Sequence, residues 1–387
     1  MTTPDATKPR GMSRDTAAPR TTPLLGVHER LGASMTSFAG WLMPLRYRSE
    51  TAEHQAVRHA AGLFDLSHMG EIAVTGPGAG AALDYAVTGQ PSAMPPGRAR
   101  YTMICAENGG VLDDLIVYRL ADDDYLVVAN AANTQVVHDA LAQRADGHDA
   151  RVSDLTADYA LIAIQGPATT RILGPLTDIP LDGLKYYASH RARVSGREVL
   201  LARTGYTGED GFELFTRPED AEQVWTALAD AGSADGLTPA GLAARDTLRL
   251  EAGMPLYGNE LGLEVTPFEA GLGRVVKFGK PGSFVGRAAL EARAAAGPRE
   301  VLVGLASAGR RVPRHGYAVL AGGRRHGTVT SGAPSPTLGM PIAMAYVDPE
   351  TARLAPADAE GSALAVDIRG SAEPARMVAL PFYRRAE

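Results

Sequence analysis

The sequence predicts an α+β body followed by an all-β C-terminal domain. Three observations carry that prediction. Up to about residue 280, extended runs rich in Val, Ile and Leu alternate with helical stripes. Two segments, "EIAVTGPGAGAALDYAV" from Glu71 and "ALIAIQGPATTRILGPL" from Ala160, share the order strand, Gly-Pro turn, helix, which hints at two related α+β units. After residue 280 the texture changes to short apolar runs divided by Gly and Pro, the pattern of a barrel or sandwich.

Three segments read as helices. "SETAEHQAVRHAAGLF" (49–64) puts Ala56, Ala60 and Phe64 on one stripe. "PEDAEQVWTALADAG" (218–232) spaces Ala221, Val224, Trp225 and Leu228 as a helix does, with Pro218 in a first turn and Gly232 at C′. "TPAGLAARDTLRL" (238–250) reads as a helix with Thr238 at the N-cap and Pro239 at N1, and Leu242, Arg245 and Arg249 then share a stripe. The strands are 71–76, 111–120, 124–130, 159–166, 198–204 and 211–216. A helical linker over 281–300 leads to "EVLVGLA", "AVLAGG", "HGTVTSG", "IAMAYV", "ALAVDIRG" and "RMVALPF".

With 387 residues, two or three domains are expected. The net charge of −6 argues against a general nucleic-acid binder, and no apolar run is long enough for a membrane-spanning helix. One cysteine, Cys105, excludes an internal disulfide and a multi-cysteine metal cluster, and it reads as a buried small hydrophobe. Residues 1–20 lack the apolar core of a secretory signal. Asp5, Asp15 and three prolines also oppose an amphipathic transit helix, so the reading is a disordered tail on a cytoplasmic protein.

Several motifs resolve to structure rather than chemistry. "TGPGAG" (75–80) misses the dinucleotide spacing, and Pro77 removes a backbone donor, so a strand-to-helix turn is expected. His54, His59 and His68 do not share a helical face, and no metal is expected. "RRVPRH" (310–315) reads as a basic surface, with a patch for an acidic partner as the minority reading. Three stretches remain. "GGVLDDLIVY" (109–118) places Asp113 and Asp114 in an apolar strand, one on each face, and the alternation does not choose between a functional carboxylate and a structural one. "RTGYTGEDGFELF" (203–215) interrupts an apolar strand with Glu213, suited to the donor-rich edge of a ligand or to an arginine of the fold. "LAARDTLRLEAGMPLYGNEL" (242–261) holds Arg245 mid-helix on an apolar stripe, facing protein or ligand and available as a partner for Glu213.

Together with "FAGWLMPLRY" (38–47), "LFDLSHMG" (63–70) and "TSGAPSPTLG" (330–339), these stretches resemble the aminomethyltransferases of the glycine cleavage system, the T-proteins, over residues 21–385. The resemblance implies a three-domain aminomethyltransferase-like folate-binding fold of α+β class with a C-terminal β-barrel. The expected division is a tail over 1–20, a discontinuous folate-binding domain over 21–69 and 151–280, a second α+β domain over 70–150, and linker plus barrel over 281–387. It implies transfer of the aminomethyl-derived one-carbon unit from the dihydrolipoyl arm of a lipoylated H-protein to tetrahydrofolate, a co-substrate. Neither metal nor pyridoxal phosphate takes part. Asp114 matches the family's aspartate near the folate amines; Glu213, Arg245, Met69, Tyr101 and Tyr206 match positions lining the folate, and Arg384 offers a basic residue for its tail. Acidic H-protein would need a local basic face, for which Arg310, Arg311, Arg314, Arg384 and Arg385 are the candidates. The alternative is a non-enzymatic folate-binding protein of the same fold that assists iron–sulfur assembly. That group carries a cysteine signature where this chain reads "AGMPLYGNEL".

Overall fold

In the computed structural model, which describes residues 18–307, 309–354 and 364–385, two sheets pack against each other and a barrel docks on them. The tail over 1–20 lies outside the described residues as far as residue 17. Its end is ordered. β1 (Arg20–Thr21) pairs parallel with β3 (Trp41–Arg46), across a ribbon shared with β2 (Ser34–Phe38), and the Arg20 guanidinium lies 4.2 Å above the Trp41 ring. Helix α1 (Leu25–Arg30) lies between β1 and β2.

Helix α2 (Glu50–His59) starts at Ser49, whose hydroxyl accepts from Ala52 N, and carries Glu50 and Glu53 in its first turn. It ends at His59, short of the predicted Phe64. Ala61–Asp65 form β4 instead, with all five residues buried between β10 (Ala160–Gln165) and β14 (Leu237–Pro239). A strand buried on both faces is a continuous apolar run, which the helical stripe imitates.

The first sheet has the order β6 (Arg98–Cys105), β7 (Val111–Ala121), β8 (Asp124–Ala129), β5 (Gly70–Thr75), β9 (Arg151–Asp154). The second repeats it as β11 (Ser189–Val194), β12 (Arg197–Ala202), β13 (Gly211–Thr216), β10, with β4 and β14 added beyond. In the first, α3 (Ala79–Ala86) follows β5 and α4 (Thr134–Arg144) follows β8; in the second, α5 (Thr169–Leu173) follows β10 and α6 (Ala221–Gly232) follows β13. The two Gly-Pro turns correspond. Gly76 (φ +110°) donates to Asp123 O at 2.9 Å, and Gly166 (φ +135°) donates to Asp210 O at 2.8 Å. "TGPGAG" is thus a strand-to-helix turn whose left-handed glycine ties it to the neighbouring hairpin.

The helix expected from Thr238 begins later. Leu237–Pro239 pair parallel with β4, and α7 (Leu242–Glu251) follows Gly241. No side chain of the local sequence caps it. The Gly241 N–H donates to Glu53 Oε2 at 2.9 Å, a tertiary contact hidden from a sequence pattern. Gly232 is the last residue of α6, and the left-handed position is Gly236 (φ +80°).

After α8 (Arg287–Ala296), whose Leu290 packs on Gly109, come β15 (Val301–Ser307), β16 (Ala318–Ala321), β17 (Arg324–Ser335), β18 (Met340–Val347), β19 (Leu364–Ile368) and β20 (Ser371–Val378). They close a barrel in the order β15-β18-β17-β16-β19-β20 around Leu305, Val319, Val329 and Val366. The barrel is fastened by Glu251, at the end of α7. Its buried carboxylate accepts from Arg58 (2.9 Å) and bonds His54 (3.1 Å) on α2, and from Ser335 Oγ (2.5 Å) and Thr337 Oγ1 (2.7 Å) on the β17–β18 turn. Among the described residues no helix is long and apolar enough to cross a membrane.

Candidate functional site

A cavity of about 290 Å³ lies where the two sheets face each other. One wall is a rung across the first sheet, Tyr101–Ile116–Val128. Leu66 and Leu161 close it from the second sheet, and Arg245 of α7 and the Gly253–Pro255 segment also line it.

Asp114 stands two residues from Ile116 on the same face of β7, so it enters the cavity wall. Oδ1 accepts from Asn130 Nδ2 (2.8 Å) and Oδ2 from Tyr101 OH (3.1 Å). Burial pushes its carboxyl above the usual range, against the pull of those two donors and of Arg245. Asp113 points the other way. It is fully buried and accepts from Asn130 N (2.9 Å), Asn130 Nδ2 (2.9 Å) and Asn133 Nδ2 (2.7 Å), which pins the entry to α4. Burial first, and the Asp114 charge second, push its carboxyl up to about 7.

The preceding glycines explain themselves. A Cβ on Gly110 would stand 1.8 Å from Leu263 O, because the 262–265 strap supplies Gly262 O and Val265 O to the Val111 N–H.

Glu213 lines the cavity from β13. Its Oε2 accepts from Tyr118 OH (3.2 Å) and from Thr204 Oγ1; Oε1 has no partner among the described residues. Burial raises its carboxyl. The loop before it turns tightly because a Cβ on Gly205 would meet Gln165 Oε1 at 2.0 Å, and one on Gly211 would meet Ile164 O at 2.4 Å.

Arg245 is not the ion-pair partner of Glu213: among the described residues no carboxylate lies within 4 Å of it. Its guanidinium stacks on the Tyr206 ring at 4.6 Å, and burial lowers its pKa. Tyr206 is fixed in turn by its hydroxyl, which donates to Pro255 O at 2.5 Å. Met69 lies just before β5 and lines the same cavity.

Met69, Tyr101, Asp114, Tyr206, Glu213 and Arg245 are therefore gathered around one space, and Arg384 is not. It is exposed and does not line the cavity; its neighbour Arg385 lies 3.8 Å from Asp210. Arg310 and Arg314 are exposed, and Arg311 pairs with Glu373 at 3.0 Å. Sequence reasoning missed Asn130, Tyr118, Thr204 and Tyr187. Asn130 ends the strand "DYLVVAN" beside the two aspartates, a polar end that marks it. Tyr187 holds φ +57°, a backbone state a sequence does not announce. His68 is buried with both ring nitrogens unpartnered, and burial and Arg245 lower its pKa to about 3. Among the described residues no group of His, Cys, Asp or Glu is arranged to hold a metal ion.

Comparisons with known proteins agree with this architecture. Residues 24–280 match the model of the GCVT N-terminal domain, and residues 301–384 match the glycine cleavage T-protein C-terminal barrel domain. An aminomethyltransferase of Saccharopolyspora erythraea is 63% identical over 370 residues, covering 95% of this chain and 99% of that protein. An aminomethyltransferase of Streptomyces coelicolor is 65% identical over 369 residues, covering 95% and 98%. The crystal structure of glycine cleavage system aminomethyltransferase T from Bartonella henselae superposes with a TM-score of 0.86 at 35% identity, covering 94% of this chain and 98% of that one.

Proposed function

The chain belongs to the glycine cleavage T-protein family of aminomethyltransferases, and on that premise we propose how its cavity carries out the transfer. Tetrahydrofolate is the acceptor, and the donor is the aminomethyl group on the dihydrolipoyl arm of a lipoylated H-protein. The carbon–sulfur and carbon–nitrogen bonds of the aminomethyl group both break, the carbon joins two folate nitrogens, and the protons those nitrogens give up leave on ammonia and the dithiol. The observation that carries this reading is the pair of unsatisfied groups in one cavity: Glu213 with a free Oε1, and Arg245 with no carboxylate partner. Both residues line the same cavity, and Glu213 Oε1 and the Arg245 guanidinium have no protein hydrogen-bond partner among the described residues, which leaves them available to a ligand.

Glu213 suits the adjacent N–H donors of a pterin's 2-amino-4-oxo edge, with Tyr118 and Thr204 fixing its other oxygen. Arg245, held over the Tyr206 ring, suits an acceptor or anionic group of the same ligand. Met69, Tyr101 and Tyr206 supply apolar and aromatic wall.

Asp114 is the catalytic residue. The folate amine is the nucleophile, so no protein nucleophile is required. As the carbon leaves sulfur it gains iminium character, and a carboxylate clamped by Asn130 and Tyr101 stabilises that charge without reorganising. The direct test supplies purified protein with aminomethylated H-protein and tetrahydrofolate. Ammonia and 5,10-methylenetetrahydrofolate are expected in equal amounts; failure to form either from competent donor overturns the reading.

A further inference from the structure

The two sheets are related rung by rung. In the first, Tyr101, Ile116, Val128 and Glu71 lie side by side across β6, β7, β8 and β5. In the second, Arg191, Leu200, Phe215 and Leu161 lie side by side across β11, β12, β13 and β10. Stepping two residues along each strand extends the correspondence without a gap. Asp114 answers to Glu198, Asn130 to Arg217, and Met69 to Tyr159.

Met69, Tyr101, Asp114, Ile116, Val128 and Asn130 of the first set line the central cavity. Their six counterparts, Tyr159, Arg191, Glu198, Leu200, Phe215 and Arg217, line another space, an open groove of about 510 Å³, while Leu161, the counterpart of Glu71, faces the central cavity. The fold therefore builds the same concavity twice and fills the positions differently. Where the central cavity has the neutral Tyr101 and Asn130, the groove has two arginines.

The floor of the groove is apolar and aromatic. Leu200 and Phe215 are buried, and the half-buried Tyr159 ring stands edge-on to Phe215 with centroids 6.1 Å apart. Its charges are exposed and unequally used. Arg193 reaches Glu198 at 3.4 Å, and its backbone N–H donates to Asp178 at 2.7 Å. The guanidinium groups of Arg191 and Arg217 have no hydrogen bond or ion pair among the described residues. Asp158 is the one rim carboxylate left without a partner there. Two free guanidinia against one free carboxylate, around an aromatic floor, favour an anion with a flat apolar body. Glu71, whose field reaches Tyr159 from behind, does not oppose this. Burial, then Asp154 and Glu213, hold its carboxyl well above the usual range, which favours its uncharged form.

We propose that this groove is a second ligand site, the register counterpart of the central cavity, and that it takes a flat aromatic carboxylate. Arg191 and Arg217 meet the carboxylate groups, and Leu200, Phe215 and Tyr159 meet the ring. The volume lies within the range of small-molecule sites.

The probe is terephthalate, a benzene ring with two carboxylates, titrated into the full chain with calorimetry and ligand-observed saturation-transfer NMR. Three proteins are compared: the natural chain, the double variant Arg191→Ala/Arg217→Ala, and Arg245→Ala in the central cavity. Melting temperature checks that each is folded; the groove arginines are exposed and their loss leaves it unchanged. The expected result is binding that weakens at least about tenfold in the groove double variant and persists in Arg245→Ala. Binding lost in Arg245→Ala alone would place the probe in the central cavity and overturn the proposal. Binding indifferent to both variants, or none up to about 10 mM, overturns it as well.

Discussion

The side-chain amide of Asn130 reaches across to Asp114, with Nδ2 2.8 Å from Oδ1, and the same nitrogen lies 2.9 Å from Asp113 Oδ1. One amide thus spans two neighbouring carboxylates that point to opposite faces of a strand. It holds Asp114 in the cavity wall and ties that position to the buried contacts of Asp113. Five predictions follow from this arrangement and from the polar contacts around it.

Asp114→Asn keeps size and hydrogen-bonding reach and removes the charge. Turnover is expected to fall by at least about 10²-fold with tetrahydrofolate still bound, since the charge acts on the transition state. Steady-state kinetics beside a binding isotherm checks this. A parallel collapse of folate affinity would make Asp114 a binding group instead.

Asp113→Asn acts through stability. It puts a donor where Asn130 and Asn133 already donate, so the melting temperature drops. The Asp114 charge helps push the Asp113 carboxyl up to about 7, so Asp114 ionises first and Asp113 is protonated where Asp114 titrates. The acid limb of the kcat/KM profile, set above the ordinary carboxylate range by burial, should therefore stay in place in the folded variant. A limb that moves to lower pH would show that Asp113 is charged where Asp114 titrates.

Glu213→Ala removes a charge-assisted contact worth about 1.5–3 kcal/mol, so folate affinity should drop at least about tenfold by calorimetry. Unchanged affinity would sink the assignment of Glu213 to the pterin.

Reversing Arg310, Arg311, Arg314, Arg384 and Arg385 to Glu should raise the KM for H-protein, with folate binding unchanged. The KM of the unaltered protein should itself rise with salt, as exposed charges are screened. A KM insensitive to both salt and substitution removes this surface from consideration.

Glu251 ties the barrel to the body, and its carboxyl is held down at about 2 despite burial, by His54, Ser335 and Thr337. A lowered carboxylate pKa adds stability that is complete above its unfolded value of 4.5 and is lost as pH falls toward about 2. Acid unfolding should therefore set in between those limits. Glu251→Gln should flatten that dependence and leave Arg58 short of a partner, at a cost of about 3–5 kcal/mol. Chemical denaturation at several pH values reads both.

The sequence carried the α+β body, the barrel and most of the strands, because period-two runs and Gly-Pro turns are local signals. It misled where tertiary contacts replaced local ones. Ala61–Asp65 imitate a helix because both faces are buried, and Thr238–Pro239 imitate a helix start while the real one is capped by Glu53 from another helix. The cavity residues in recognisable motifs stood out as interruptions: a carboxylate in an apolar strand, an arginine on an apolar stripe. Leu66, Ile116, Val128 and Leu161 stood out nowhere. An apolar residue facing a cavity has the same pattern as one facing a core, and only the approach of two sheets separates them.

The position of β4 also governs the order in which the chain can be assembled during synthesis. Every strand of the first sheet comes from one uninterrupted stretch, Gly70 to Asp154, so it can be completed as it leaves the ribosome. β4 precedes that stretch, yet both its neighbours, β10 and β14, follow it. Until they emerge, Leu63 and Phe64 have no sheet to enter, and an apolar strand with two open edges stands beside a finished half. A ribosome stalled between residues 155 and 240 would hold the chain at its most adhesive, which makes that interval the one where a chaperone has most to protect.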